Sequence, residues 1–443
     1  MKVSIFHKSI AMLLSGTAMS QLIGIATLPL LTRLYSADEM GVLAIYTSVV
    51  TTLLTVVCLR LESAIPVQKS EEDAKEVLFL CIQLAAIVSM VVFLLTICAF
   101  SFDVLPENML EYIYFIPVGV FFGGVYVALN AFALFKGGFQ YIAKSRIIQA
   151  VSCAAVQVSG AFLYQSSVWL IVGFILNLSA GINYLKKRLN LKSVFFFLDV
   201  RKSKQLIQRN SSFPRYSIIE SLFNTAGVQF PILVIAYGMS VSEAGLIFLA
   251  MKLIQAPMAM LGTSIAQVYY SQASKKFADG EISQFTADVL KIALRLGVGP
   301  IIGLSILAPL IIKYFLGYEW EQVGHYMLIM MPWYVMQFIS SPMSPIMYIM
   351  EKQKLFMYIT IFGLFWKLSL AFIGVFVMHD AVQMLVIGNV IFYFLCFYTF
   401  LKISGLSFFA VADVIANSFF IISIWVVVAL LLNFFLEEVV RNV

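Results

Sequence analysis

A lysine stands near the middle of an otherwise apolar stretch: Lys367, within residues 355 to 378. Read as a helix, that stretch puts it about 18 Å from either end, farther than a lysine stem reaches. Such a charge faces a cavity or a partner, because at the centre of a bilayer it costs about 3 kcal/mol or more. Two uses stay open: a phosphate or sugar ligand in a polar cavity, or a structural ion pair or hydrogen bond. Lys252 is shallower, about 10 Å from the nearer end of its run, so snorkelling competes with a cavity-facing role. Arg60, Arg146, Lys291 and Arg295 lie at ends of apolar runs, where an anionic headgroup first meets the chain or where bases simply anchor a helix. Lys291 and Arg295, four apart, share a helix face. Glu62 and Glu220 read as partners of neighbouring bases. Gln21, Tyr46, Tyr126, Asn130, Gln229, Gln255, Trp333, Tyr334 and Gln337 add amides and flat rings within the runs. Those groups suit a hydroxyl-rich ligand, although bonding between helices is the commoner use of any one of them. His7, His325 and His379 lie near predicted helix ends, no metal-ligand spacing occurs, and no Gly-rich phosphate loop follows a strand. No catalytic residue, metal or cofactor is therefore expected.

The elements that must position these residues are membrane helices. The 443 residues are 61% hydrophobic and 12% charged, with a mean hydropathy of +0.95. A soluble globule is nearer one-half apolar. About thirteen runs of roughly 20 apolar residues recur, each long enough to cross about 30 Å of hydrocarbon. Basic residues set the orientation, with the N-terminus cytoplasmic, because they concentrate at one set of helix ends and only Arg33, Lys313 and Arg441 lie near the other. The acidic segment Ser101 to Glu111 and the uncharged turn Gln165 to Ser167 then face outward. The net charge of +6 belongs beside lipid headgroups, not nucleic acid. The first run is too long for a signal-peptide core, and its end at Pro29 to Arg33 offers no small-residue cleavage site. Cys58, Cys81, Cys98, Cys153 and Cys396 all fall in or beside apolar runs and read as small core hydrophobes.

The chain is also duplicated. Ser36-Ala37-Asp38-Glu39-Met40-Gly41 and Ser240-Val241-Ser242-Glu243-Ala244-Gly245 match at a shift of 204 positions, each at an outward turn opening a helix. Ser before a downstream Glu suits a helix cap. Pro117 and Pro332 stand at matching places later in each half. The pattern predicts an all-α polytopic membrane protein: two parallel six-helix lobes, 1–185 and 216–402, a basic cytoplasmic linker, 186–215, and an accessory C-terminal helix within 403–443. Parallel repeats follow from an even number of spans in each. In the linker, Val194 to Leu198 reads as an apolar patch against the membrane face. Pro231, Pro257, Pro300, Pro309, Pro342 and Pro345 fall inside runs, and Ser340 to Pro345 is the expected broken helix.

Several stretches resemble a known family, the oligosaccharide flippases of bacterial O-antigen and capsule assembly, in the superfamily that also holds multidrug extruders and the lipid II flippase. They are Leu30 to Gly41, Leu59-Arg60-Leu61-Glu62-Ser63-Ala64-Ile65, Gly317-Tyr318-Glu319-Trp320, Pro332-Trp333 through Ser344, and Met350 to Lys354. The resemblance covers roughly residues 10 to 400. It implies two lobes around a central cavity in the bacterial inner membrane. By alternating access, an undecaprenyl-diphosphate-linked oligosaccharide would pass there from the cytoplasmic to the periplasmic leaflet. It also implies membrane lipids, a polysaccharide polymerase and chain-length proteins as partners. Lys367, Lys252, Arg60, Arg146, Lys291, Arg295, Gln337 and Trp333 are the expected substrate contacts. The family usually has twelve helices, so the run from 410 to 436 departs from it. A cation-coupled multidrug extruder would need intramembrane carboxylates, and residues 10 to 31 hold none. A polymerase or ligase would need a large outward loop, and the outward loops here are short. A transporter, not an enzyme, is expected.

Overall fold

The computed structural model describes residues 2–101, 112–191, 199–209 and 212–441. Most of the acidic segment Ser101 to Glu111 and the patch Val194 to Leu198 lie outside them. The described residues form helices without strands, as lipid requires of a chain that must satisfy its own backbone. They divide into two compact units, Met1–Leu233 and Val234–Val443.

In the first unit α1 (Lys2–Leu34) packs on α5 (Phe139–Leu163), and α3 (Glu71–Ser101) on α4 (Phe115–Phe135). Helix α2 (Ala37–Leu54) lies against α4 and α6 (Ser167–Ser179). Close approach is bought with glycine: a Cβ on Gly16 would lie 2.4 Å from that of Ala143. After α7 (Gly181–Arg188), the linker's α8 (Val200–Arg209) buries Leu206 and is held by ion pairs, Lys202 to Glu76 at 2.6 Å and Arg209 to Asp73 at 3.1 Å. The acidic first turn of α3 thus receives the basic linker.

Helix α9 (Ser212–Gly238) carries the division between the units. In the second unit α10 (Val241–Ala278) packs on α13 (Glu321–Ser340). Helix α11 (Ile282–Ala293) continues through a π-helical turn, Leu294–Val298, into α12 (Gly299–Phe315). After the short α14 (Ile346–Ile349) come α15 (Gln353–Ile373) and α16 (Ala381–Ser404), which pack together. The accessory helix is α17 (Phe408–Arg441). It has a defined seat on α12: a Cβ on Gly299 would lie 2.3 Å from Trp425 Cδ1, and Ala429 approaches Gly303.

Eleven helices among the described residues are long and apolar enough to cross a membrane, α17 included. The run 10 to 31 falls on α1. The run 325 to 349 is not among the eleven: it falls on α13, which carries Gln322, His325 and Gln337 and stops at Ser340. The break falls in the Ser340 to Pro345 run: Pro342 has no N–H to continue the ladder, and Ser341–Met343 form a 3-10 turn. Pro231, Pro257 and Pro309 lie inside continuous helices. The apolar residues 40 to 60 do not form one helix, since α2 ends at Leu54. Thr52 and Thr55 donate back to the carbonyls of Ser48 (2.8 Å) and Thr52 (2.7 Å), which competes with the ladder. Leu59 and Arg60 then take left-handed backbone, φ 51° and 59°.

Candidate functional site

Two polar stripes face each other in the second unit. On α10 Lys252, Gln255, Gly262 and Ala266 fall at three-, seven- and four-residue steps, a single helix face. On α13 Trp333, Gln337 and then Ser341, in the turn after it, fall four apart. Between them lies a cavity of about 380 Å³ lined by Gln255, Gly262, Ala266, Gln337, Phe338 and Ser341 among others. Gly262 and Ala266 leave the room, and the proline break at Pro342 ends α13 at the cavity wall. Phe338 is held from behind, because its ring occupies the place a Cβ on Gly297 would need.

The polar atoms here are conspicuous for what they lack. The Gln337 Oε1 is buried with no hydrogen-bond partner among the described residues, and so is the Trp333 Nε1. Buried polar atoms are normally paired. Trp333 stacks on Tyr334 with centroids 4.7 Å apart and planes 15° from parallel. The Tyr334 hydroxyl in turn accepts from Gln255 Nε2 at 3.5 Å. The free Gln337 acceptor, on a cavity with small-residue walls, can take a hydrogen bond from a neutral, hydroxyl-rich group; the Trp333–Tyr334 stack is buried behind that wall.

Lys252 lies one turn from Gln255, exposed, with its ammonium 6.0 Å from the Phe248 ring centre. Lys367 lies elsewhere, between α15 and α16, and is only 2% exposed. Its Nζ stands 3.8 Å from the Phe392 ring centre and 5.1 Å from that of Tyr393. Phe392 reaches that position because Gly363, one turn before Lys367, has no Cβ to block it. The desolvated ammonium rests on aromatic faces, an attraction of about 2 kcal/mol. In this conformation the Lys367 ammonium packs on these two rings.

The bases at helix ends are mostly engaged. Arg60 pairs with Glu62 at 3.5 Å, yet Arg60 Nε and Glu62 Oε2 are buried without hydrogen-bond partners. Arg146 donates to the Thr17 hydroxyl and so ties α5 to α1. Arg295 donates to the Asn417 carbonyl of α17 at 3.0 Å. It sits in the π-helical turn that follows Lys291, so the regular four-residue face shared by these two bases is interrupted. Several neutral residues also bridge helices: Tyr46 donates to the Phe115 carbonyl (2.8 Å), Ser48 to Gln229 (3.0 Å), and Tyr126 meets Ser145 (3.0 Å). The structure thus brings Gln337 and Gln255 to one cavity, with Tyr334 buried behind Gln255. Trp333, Lys252, Arg60, Arg146, Lys291, Arg295 and Lys367 are not among the residues lining it. Sequence reasoning passed over Gly262, Ala266 and Ser341, whose four-residue steps were the available signal.

The chain adopts the fold of the MOP-superfamily membrane transporters. It is similar to the lipid II flippase MurJ in an inward closed conformation, at 13% identity over 96% of this chain and 98% of that one, with a TM-score of 0.66. It is similar also to an inward-facing multidrug resistance MATE transporter, at 14% identity over 89% and 94% and a TM-score of 0.61. A MOP-superfamily transporter from Pyrococcus furiosus matches at 14% identity over 89% and 94%, with a TM-score of 0.56. No curated protein sequence matches the chain. Residues 30–325 match the family described as polysaccharide biosynthesis protein, and the chain belongs to that family.

Proposed function

We propose that this protein is a flippase that moves an undecaprenyl-diphosphate-linked oligosaccharide from the cytoplasmic to the periplasmic leaflet by alternating access. It supplies O-antigen, capsule or exopolysaccharide assembly at the bacterial inner membrane, beside a polymerase and chain-length proteins. The observation that carries this reading is a polysaccharide-family sequence over residues 30–325 on a fold that a lipid II flippase also adopts. The N-terminus is cytoplasmic, and 1–185, 186–215, 216–402 and 403–443 are the working divisions. No covalent chemistry is required.

The physical problem is a diphosphate with sugars that cannot cross hydrocarbon, attached to a tail that can stay in it. The unpartnered Gln337 Oε1 on the α10–α13 cavity suits a sugar hydroxyl. Lys252 stands one turn away for an anionic group. Arg60, Arg146, Lys291 and Arg295 are assigned to the diphosphate as it arrives. Arg146 and Arg295 then exchange Thr17 and the Asn417 carbonyl for phosphate. Lys367 meets the cargo only in a conformation where Phe392 and Tyr393 leave its ammonium. Outward movement of an anion runs down an inside-negative potential, worth about 2.3 kcal/mol per charge per 100 mV. The rival on the same fold, a cation-coupled multidrug extruder, is weakened by the lack of any acid in residues 10 to 31.

Depletion of the protein is the test: one lipid-linked oligosaccharide accumulates on the cytoplasmic leaflet. Lost resistance to cationic drugs without that accumulation would establish the extruder instead. Lys367→Met, inserted and folded as wild type, is expected to lower translocation at least tenfold. Unchanged translocation in that variant removes Lys367 from the assignment.

A further inference from the structure

A second cavity, about 670 Å³, opens where α12, α13 and α17 part. Two tight contacts fix its edges. A Cβ on Gly324 would lie 2.5 Å from Pro309 Cα, which clamps α12 to α13, and Trp425 over Gly299 clamps α17 to α12. The lining is graded along all three helices in one direction. On α12, Lys313 lies seven residues beyond Ile306, about 10 Å nearer the end where α12 passes into α13. On α13, Glu321 lies seven residues before Leu328, again about 10 Å nearer that end. On α17, which runs parallel to α12 through the Gly299–Trp425 and Gly303–Ala429 contacts, Asn433 lies beyond Leu430. A polar layer of Lys313, Glu321 and Asn433, reaching one turn inward to His325, therefore caps an apolar one of Ile306, Leu328 and Leu430. At the same end Tyr314, Phe315 and Tyr318 are exposed, the aromatic signature of a membrane interface.

The polar layer holds one charge of each sign. Lys313 Nζ is 3.1 Å from Glu321 Oε1 and 5.0 Å from the Tyr318 ring centre. We propose that this cavity binds a zwitterionic phospholipid whose headgroup joins a phosphodiester to a primary ammonium. The phosphodiester meets Lys313, the ammonium meets Glu321, and the acyl chains lie along Ile306, Leu328 and Leu430. A purely anionic headgroup would satisfy Lys313 while forcing its phosphate against the Glu321 carboxylate. A sugar alone would leave the apolar layer without an occupant. This site is separate from the α10–α13 cavity, and its reading does not depend on which cargo the protein carries.

The test is native mass spectrometry of the detergent-purified full chain, offered phosphatidylethanolamine and phosphatidylglycerol in equal amounts. Wild type is expected to retain the ethanolamine lipid at least tenfold over the glycerol lipid. Glu321→Gln should erase that preference by relieving repulsion of the anionic lipid, and Lys313→Met should weaken both. Leu430→Trp, which fills the apolar layer and leaves the ion pair intact, should lower retention of either lipid about tenfold. Equal retention of the two lipids by wild type overturns the proposal. Retention unchanged in Leu430→Trp, a variant at an exposed position that keeps its fold, overturns it too.

Discussion

The two copies of the Ser-x-x-Glu-x-Gly turn start helices in the same way and then use their glutamates differently. At the first, Ser36 Oγ accepts from the Glu39 N–H at 3.3 Å and Glu39 Oε2 accepts from the Ser36 N–H at 2.9 Å, a closed capping box. At the second, Ser240 Oγ accepts from the Glu243 N–H at 3.0 Å, while Glu243 accepts from the Tyr326 hydroxyl of α13. A local motif has become a tertiary tie in the half that carries the polar cavity. Two amides show the same divergence at depth. Gln157 donates from Nε2 to the Leu170 carbonyl at 2.9 Å, joining α5 to α6. Gln337 leaves its Oε1 without a partner. Within one duplicated scaffold, these two amides differ in that one is spent on packing and the other leaves its acceptor open.

The sharpest way to break that contrast is to remove each amide. Gln157→Leu leaves the Leu170 carbonyl without its donor and should cost about 1 to 3 kcal/mol of stability. Transport per folded molecule should survive. Gln337→Leu removes a group that already lacks a partner, so thermal unfolding should move little or upward while translocation falls at least tenfold. Thermal melts and vesicle translocation assays on both variants decide it; the reverse pattern would show that Gln337 is structural.

Much of this scaffold was legible as apolar runs, because a helix crossing about 30 Å of hydrocarbon cannot hide its composition. The caps at Ser36 and Ser240 and the break at Pro342 were legible for local reasons, since each depends on residues within a turn of itself. The end of α2 was not. It is set by threonine hydroxyls folding back and by left-handed Leu59 and Arg60, with no glycine to mark them. For Lys367, sequence showed that the ammonium could not reach water, yet its aromatic partners lie on another helix, at Phe392 and Tyr393. Contacts between helices were likewise out of reach for Arg146 with Thr17 and for the seat of Trp425 on Gly299.

Smaller effects should come from the turns. In a double-mutant cycle, Glu243→Gln with Tyr326→Phe should show a coupling of about 0.5 to 3 kcal/mol in thermal unfolding, as for groups in direct contact. Ser36→Ala should cost about 1 kcal/mol, the ordinary worth of an N-cap. Additive behaviour of the Glu243 and Tyr326 variants would remove the tertiary tie and make the two turns equivalent again.

The smallest effect is expected at the other end of α10, where exposed Lys276 and Glu281 pair at 2.5 Å. The hydrogen bond and charge of Lys276 hold the Glu281 carboxyl below its ordinary range, and Glu281 holds the lysine above its own. For the depressed carboxyl, the stabilisation is present above the unfolded value, about 4.3, and is lost as pH falls through the lower folded one. For the raised lysine, it is present below about 10.4 and is lost as pH rises through the higher folded value. The difference between wild type and Glu281→Gln should therefore be flat from about pH 5 to 10 and fade on both sides. Exposure keeps it small, and added salt should shrink it further. The Glu243–Tyr326 tie involves a neutral donor, so its coupling should hold in the same salt series; if both respond alike, the distinction between a screened surface pair and a tie within the fold disappears.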